Sequence, residues 1–246
     1  MSWLSRRIEA LRTRIDERAD PRLEDIVLPN PGPDTARAVV VSFYMDNIRR
    51  GVVAAQRRLL QRFLPEGVAV AQVCTKMKHG PALDDFLAKT NYRVVVVLDI
   101  DCVPIAEGAL ERLIEGAEAG RLIGTVSCAN HLDNGRHMFV GPFGMALSKD
   151  LWQRLDRPSC VATPRGDVAE ELTYSAEAKG LPVEFLMPTA SADAIWELPN
   201  GLRYGHATTY EGGLWHAFEI RHRTHQAAFI AQCATFLAAA GPKPAR

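Results

Sequence analysis

The residues best suited to chemistry are two aspartates, Asp99 and Asp101, that directly follow an apolar run. This run, Tyr92-Arg-Val-Val-Val-Val-Leu98, is continuously apolar after its first two residues, which predicts a strand buried on both faces. In open α/β sheets, ligands bind beyond the carboxyl ends of the strands. Two carboxylates this close repel one another unless a cation lies beside them. We therefore predict a site for Mg²⁺ or Mn²⁺ here, although an ordinary surface turn is the alternative.

A second acidic group lies in Gly166-Asp-Val-Ala-Glu-Glu-Leu172. Asp167 is expected to cap a helix starting at Val168, with Glu170 on the same first turn. The first-turn N–H groups would keep such a carboxylate ionised, as a general base requires. Asp167 is the first candidate for a catalytic base, Glu170 the second, and Glu171 the third. Purely structural roles, as a cap and as solvated helix charges, stay open for all three.

Histidines concentrate near the C-terminus, where four of the seven lie between residues 206 and 225. His206 and His216 are the two singled out here, although lone histidines are usually satisfied surface or core groups. Arg221 and Arg223 are candidates for binding a diphosphate through forked hydrogen bonds. Three aromatic residues nearby either stack on a sugar or fill the core: Trp196, Tyr210 and Trp215.

The elements that must position these residues alternate along the chain. Apolar runs predict strands at 38–43, 68–74, 92–98, 122–127 and 183–187, and helical spacing predicts helices at 48–63, 81–89, 106–119 and 168–179. The segment 138–147 is expected to be irregular, because Gly141, Pro142 and Gly144 interrupt it. The order of elements predicts an α/β fold with a Rossmann-like, mostly parallel mixed sheet and helices on both faces.

The N-terminal part is expected to stand apart from this domain. Residues 1–20 show helical spacing of apolar residues, and the prolines that follow predict a linker up to residue 34, so the main domain covers 35–246. This helix is expected to pack on the domain or on a second subunit. Alternatively, residues 1–18 form a peripheral membrane contact, because arginines outnumber acids there.

Composition narrows the function classes. The 246 residues carry 29 Lys and Arg against 29 Asp and Glu, and such a balanced charge argues against nucleic acid as a partner. The five cysteines are widely spaced and form no zinc pattern, which is typical of a reducing compartment. With no signal peptide in view, we expect a cytoplasmic protein, or one at the inner face of the membrane.

The segment Val94 to Pro104 resembles the D-x-D segment of GT-A-type glycosyltransferases, in particular divergent members of the family 2 type. Other segments follow in the order of that family. The resemblance implies that Ser42, Tyr44 and Asn47 lie at the nucleotide base. It further implies that His79, Gly80 and Asp84 lie near uridine and ribose, and that Asp99 and Arg221 contact the donor.

For the whole protein, the resemblance implies a metal-dependent, inverting transfer of sugar to a hydroxyl group. The donor would be a nucleotide-sugar, with UDP-sugars foremost, the cofactor Mn²⁺ or Mg²⁺, and the acceptor a glycan or lipid-linked glycan. The glycine-rich, His-bearing segment from Gly205 would be a loop that closes over the donor, and His206 or His216 would complete the metal site. One departure is that Ala169 stands where the family's acidic motif, E-D-x-x-L, has an acid.

Three other functions stay open. A phosphohydrolase of the haloacid dehalogenase type would use Asp99 as nucleophile and Asp101 as acid and base. However, two strand–helix units precede this motif, whereas that family usually carries it on the first strand. The other two are a nucleotidyltransferase on the same sheet and a non-catalytic module that binds nucleotide-sugars.

Overall fold

The computed structural model describes residues 23–133 and 136–242, which form two β-sheets and the helices around them. The strands are β1 (Ala38–Tyr44), β2 (Val68–Cys74), β3 (Val94–Leu98), β4 (Cys102–Pro104), β5 (Leu122–Cys128), β6 (Met138–Ser148), β7 (Val183–Leu186), β8 (Pro188–Glu197), β9 (Arg203–Tyr210) and β10 (Leu214–His216). The helices are α1 (Arg50–Phe63), α2 (His79–Lys89), α3 (Ala109–Glu118), α4 (Lys149–Arg154), α5 (Glu170–Ala178) and α6 (Arg223–Ala240).

The larger sheet has the order β2-β1-β3-β6-β5-β7. Strand β1 runs parallel to β2 and β3, and β5 runs parallel to β7. Strand β6 is antiparallel to both of its neighbours, β3 and β5. Five strands therefore point one way and one points the other, which confirms the predicted mostly parallel mixed sheet.

The valine run of β3 connects two hydrophobic cores, one on each face of this sheet. Val94 and Val96 pack in a core with residues of α3, whereas Val95 and Val97 pack in a second core with residues of α2, α4 and α5. Successive side chains of a strand point to opposite faces, and a core covers each face of this sheet. All four side chains are therefore buried. The predicted helices on both faces are thus confirmed.

Strand β6 corrects the expectation that residues 138–147 are irregular. The glycines permit close packing here instead of interrupting the strand. A Cβ on Gly124 of β5 would lie 2.3 Å from the carbonyl oxygen of Gly144, and one on Gly144 would lie 2.9 Å from Thr125. Glycine is needed at both positions because the two strands approach so closely.

The smaller sheet is antiparallel, with the order β4-β10-β9-β8. Strands β9 and β10 occupy residues 205–210 and 214–216 of the segment that we expected to be a loop over the donor, so these residues belong to a sheet instead of a loop. Closure of the segment over a donor stays a prediction. Thr208 stabilises this segment, because its side chain accepts a hydrogen bond from Gly205 N and donates one to Gly205 O.

The predicted N-terminal helix and the membrane contact of residues 1–18 lie outside the described residues. The described part begins with a 3₁₀ helix, Leu23–Asp25, and has no further strand or helix before β1. Within the ranges that the structure describes, no helix combines the length and the apolar character needed to cross a bilayer.

Candidate metal centre and active site

Asp99 and Asp101 lie at the turn from β3 to β4, at the carboxyl edge of the large sheet. The buried Gln56 side chain of α1 donates hydrogen bonds to the carbonyl oxygens of Asp99 (2.8 Å) and Cys102 (3.1 Å). Asp99 N in turn donates to the carbonyl oxygen of Phe143 on β6, at 3.1 Å. The backbone of this acidic turn is thus held by a helix and by a strand of the sheet.

His216 reaches the same turn through the pairing of β10 with β4, which places it opposite Cys102. The next residue, Ala217, donates its N–H to the carbonyl oxygen of Asp101 at 3.1 Å. As a result, His216 Nε2 lies 3.2 Å from Asp101 Oδ1 and 3.9 Å from Asp99 Oδ2. Asp101 and His216 are both buried, being 4% and 3% exposed.

These three side chains suit a divalent cation. One possible ligand atom from each lies within 4.8 Å of the others, and no other such group of three occurs in the described part of the chain. Burial and the charge of Asp101 raise the pKa of Asp99 to about 7, although His216 acts in the opposite direction. Two carboxylates so close need positive charge between them, and Mg²⁺ or Mn²⁺ accepts both carboxylate oxygen and imidazole nitrogen.

His206 lies outside this cluster. Its Nδ1 is 3.2 Å from Asp193 Oδ2 and its Nε2 is 3.4 Å from Glu219 Oε2. The sequence did not show which of the two histidines is the better candidate for a metal ligand. The structure places His206 on β9 and His216 on the neighbouring strand β10, and only His216 belongs to the cluster. The prediction that His206 binds metal has no support from this placement.

His79, the first residue of α2, lies on the other side of the acidic turn, with its Nε2 3.4 Å from Asp99 Oδ1. Burial lowers the pKa of His79 to about 4, and the charges of Asp101 and Asp167 offset only part of this effect. The imidazole is therefore neutral near pH 7. It can donate one hydrogen bond to a carboxylate or to a ligand, and it adds no positive charge beside a metal ion.

We expect metal binding to weaken as the pH falls, because a proton on Asp99 competes with the cation. A carboxyl pKa of about 7 makes the affinity for Mn²⁺ decrease below pH 7, by at most about tenfold per pH unit for one proton. Calorimetric titration with Mn²⁺ at pH 5.5, 6.5 and 8 measures this dependence. An affinity that is constant between pH 5.5 and 8 would contradict the placement of the metal on Asp99.

Of the residues predicted to contact the nucleotide, Ser42 and Tyr44 lie at the carboxyl end of β1, the strand next to β3. Ser42, at 0% exposure, has a buried hydroxyl with no hydrogen-bond partner in the described part of the chain, and Tyr44 ends β1 half-buried. The carbonyl oxygen of Asn47 accepts a hydrogen bond from Gln226 of α6, at 3.3 Å. Arg221 is exposed, with its Nη2 3.7 Å from Glu219 Oε1. Their roles toward a nucleotide stay predictions.

Gly80 and Asp84 of α2 contact the loop around Cys160. A Cβ at Gly80 would lie 2.6 Å from the carbonyl oxygen of Cys160. The Asp84 carboxylate accepts hydrogen bonds from Ser159 Oγ (2.6 Å) and Cys160 N (2.7 Å). These contacts give both residues a structural role, and their predicted contact with ribose has no support from them.

The three acids after Pro164 differ in what surrounds them. Helix α5 begins at Glu170, later than expected, because Ala169 takes a left-handed conformation with φ of 64°. The Asp167 carboxylate accepts a hydrogen bond from Val168 N at 2.7 Å. Glu171 accepts hydrogen bonds from Thr163 and from Arg165, and the bonds from Arg165 lower the pKa of Glu171.

Glu170 is fully buried and holds the loop that carries Asp167. Its Oε2 accepts a hydrogen bond from Asp167 N at 2.7 Å, and its Oε1 lies 2.8 Å from His137 Nδ1. Burial alone would lower the pKa of His137, but hydrogen bonds to Glu170 and Glu177 raise it. His137 also stacks on Tyr174 at 4.0 Å. No pattern in the sequence indicated that His137 fixes this acidic loop.

A pocket of about 430 Å³ is lined by Asp167 and by aromatic residues, two of which contact His216 of the metal cluster. Phe143 and Phe218, which line it, lie against the His216 ring with centroid distances of 4.5 and 3.8 Å. Trp196 and Tyr204 form another part of its wall, and Tyr204 is fixed by hydrogen bonds with Cys128 and Asn130. The other two aromatic candidates, Tyr210 and Trp215, are buried in the cores. The pocket therefore combines flat apolar surfaces with one carboxylate.

Comparisons with known proteins give low similarity. No protein-family model matches the chain, and no curated protein matches it. Among solved structures, a 4-diphosphocytidyl-2C-methyl-D-erythritol synthase from Anaerococcus prevotii matches with a TM-score of 0.46 and 9% identity, over 82% of this chain and 98% of that one. A Drosophila β-1,4-galactosyltransferase 7 variant, in complex with manganese, UDP-galactose and xylobiose, matches with 0.41 and 13%, over 76% and 73%. A 2-C-methyl-D-erythritol 4-phosphate cytidylyltransferase from Thermus thermophilus matches with 0.41 and 13%, over 80% and 99%.

Proposed function

We propose that this protein is a metal-dependent glycosyltransferase that moves a sugar from a nucleotide-sugar, foremost a UDP-sugar, to a hydroxyl group of a glycan or lipid-linked glycan. One observation carries the proposal. Asp167 lines an aromatic pocket, and two rings of that pocket, Phe143 and Phe218, lie against His216 of the cluster of Asp99, Asp101 and His216. This arrangement offers a cation for a leaving diphosphate and a base for an attacking hydroxyl group, the two requirements of inverting transfer.

The base in this proposal is Asp167. Its Oδ1 accepts the hydrogen bond from Val168 N, which leaves Oδ2 to accept the proton of the acceptor hydroxyl group. Glu170 and His137 hold the backbone of Asp167 in place, so they act as positioning residues. Glu171 is engaged by Arg165 and is a poor candidate for the base.

The aromatic walls of the pocket support a sugar as ligand. The flat faces of Trp196 and Phe218 match the apolar faces of a pyranose ring, and the phenol of Tyr204 is already engaged with Cys128 and Asn130. A ring held there would exclude water, which otherwise hydrolyses the donor. A divalent ion bound by Asp99, Asp101 and His216 would neutralise the charge of the diphosphate.

A thermal-shift panel tests the proposal. The full chain is heated with UDP-, GDP- and CMP-sugars, each with Mn²⁺, with Mg²⁺ or with EDTA. We expect one nucleotide-sugar to raise the melting temperature only when the metal is present. No metal-dependent stabilisation by any of these donors would contradict the proposal.

Product analysis then separates the remaining functions. Transfer to a glycan acceptor, or slow hydrolysis of the donor, supports the glycosyltransferase. Release of pyrophosphate from a nucleoside triphosphate and a sugar phosphate would identify a nucleotidyltransferase. Phosphate release from a sugar phosphate would identify a phosphohydrolase that uses Asp99. Binding without any product would identify a non-catalytic module.

A further inference from the structure

We propose that a second pocket, at the opposite end of β3 from the carboxylates, binds a phosphate group. This rear pocket, of about 390 Å³, is lined by Thr90, Arg93, Lys149, Trp152, Gln153 and Arg157, among others. Arg93 directly precedes β3, and its carbonyl oxygen accepts a hydrogen bond from Lys149 N at 2.9 Å. The whole length of β3 therefore separates this pocket from Asp99.

The charges of the rear pocket are all positive. Its lining includes Arg93, Lys149 and Arg157, and no Asp or Glu. The Arg157 guanidinium and the Lys149 ammonium lie over the same indole ring, that of Trp152, at 5.7 and 4.7 Å from its centroid. Burial and the charge of Arg157 lower the pKa of Lys149, as expected for two cations that share one site. Such a grouping favours an anion.

The acids around the rear pocket are already engaged elsewhere. Glu118, whose pKa Arg93 helps to lower, accepts hydrogen bonds from Arg37 at 2.8 and 2.6 Å. Asp156, next to Arg157 in the chain, has its Oδ2 2.6 Å from Lys179 Nζ. In the described part of the chain neither carboxylate forms an ion pair with a cation of the rear pocket, although Glu118 attracts Arg93 at longer range.

The indole of Trp152 provides a further, independent observation. Trp152 is 7% exposed, and its Nε1 is buried without a hydrogen-bond partner in the described part of the chain. An N–H donor left unpaired in this way is costly, and an acceptor oxygen brought to this wall would relieve the cost. An N–H donor on a ring that two cations, Lys149 and Arg157, also contact suits an oxyanion.

The number of donors indicates phosphate among the oxyanions. Arginine binds phosphate oxygens through forked hydrogen bonds, and a lysine adds a point charge. The backbone of Arg157 is fixed next to Trp152. It has a left-handed φ of 54°, and its N–H donates a hydrogen bond to the carbonyl oxygen of Trp152 at 2.9 Å. The volume of the pocket exceeds that of a phosphate ion. The phosphate therefore belongs to a larger molecule, either a soluble phosphate ester or a lipid headgroup.

Calorimetric titration of the full chain with inorganic phosphate, at constant ionic strength set with chloride, tests this proposal. We expect saturable binding that weakens at least about tenfold in Arg157→Gln, because one charged pair is lost. Arg157 is exposed, so this variant should fold; Arg58→Gln, at an exposed position of α1, is the matched control and should bind as the wild type does. Phosphate binding that is absent, or equal in Arg157→Gln and the wild type, would overturn the proposal.

Vesicles distinguish the two sources of the phosphate. Sedimentation with phosphatidic acid vesicles, but not with phosphatidylcholine vesicles, and its loss in Arg157→Gln would identify a lipid headgroup. Binding of inorganic phosphate that depends on Arg157, without sedimentation on either vesicle, would identify a soluble phosphate ester.

Discussion

We expect Asp101→Asn to weaken Mn²⁺-dependent binding of the donor by at least about 100-fold while the protein stays folded. The variant removes one of the three candidate ligands, and even the loss of a residue that only orients a ligand costs about 10- to 100-fold in metal affinity. Asparagine has the same shape and keeps an oxygen toward His216 Nε2, which lies 3.2 Å from Asp101 Oδ1. Calorimetric titration with Mn²⁺, followed by the donor, measures the loss.

The stability of the same variant separates a functional carboxylate from a structural one. The charge of Asp101 raises the pKa of Asp99, so the Asp101 carboxylate disfavours the ionised form of Asp99. A carboxyl pKa raised on folding lowers stability as the pH rises toward and through about 7. Without metal at pH 8, Asp101→Asn should therefore unfold with a free energy about 1 kcal/mol higher than the wild type.

The half-buried Asp85, which forms an ion pair with Lys89, supplies the matched control. Asp85→Asn should keep the metal affinity of the wild type. If Asp101→Asn retains the wild-type response to Mn²⁺, the Asp99, Asp101 and His216 cluster is not the metal centre and the proposed function loses its basis.

We expect Asp167→Asn to lower turnover by about 100- to 10,000-fold while donor binding survives. This range is the usual contribution of a general base, and the change leaves the metal cluster intact. Asparagine can still accept the hydrogen bond from Val168 N, so the loop should keep its conformation. Initial rates at saturating donor and acceptor, together with the donor affinity of the variant, measure the effect.

Glu171→Gln is the control for this second prediction, because Glu171 lies in the same segment but is engaged by Arg165 and Thr163. It should retain most of the turnover. Near-complete activity in Asp167→Asn would show that Asp167 is not the base. The pH profile of turnover adds a further check, because the acidic limb that reports the base should disappear in Asp167→Asn.

The sequence by itself determined the large sheet and the place of its chemistry. Five residues of continuous apolar character, Val94–Leu98, predicted a central strand, and each of them is buried between two layers of helices. The two carboxylates then had to lie at the carboxyl edge, since they directly follow that strand. Such predictions succeed because burial on both faces leaves a local signal in composition, and because the end of a strand is defined by chain order alone.

A glycine, by contrast, can indicate either a turn or a close contact between strands, and the sequence alone does not distinguish the two. Gly124 and Gly144 permit the close approach of β5 and β6, whereas glycines of the same kind in a loop would permit a turn. Residues 138–147 were therefore predicted to be irregular, whereas Met138–Ser148 form a strand. Which of the two applies depends on the partner strand, and strand pairing is not determined by the residues next to the glycine in the chain.

Only the tertiary structure ranked the histidines and linked the acids. His216 reaches Asp101 because β10 pairs with β4 in a register that joins positions more than 100 residues apart, while His206 lies instead with Asp193 and Glu219. His137 reaches Glu170 across 33 residues of sequence. Spacing along a chain predicts neighbours within a helix or a strand, but the register between distant strands depends on the packing of the whole domain.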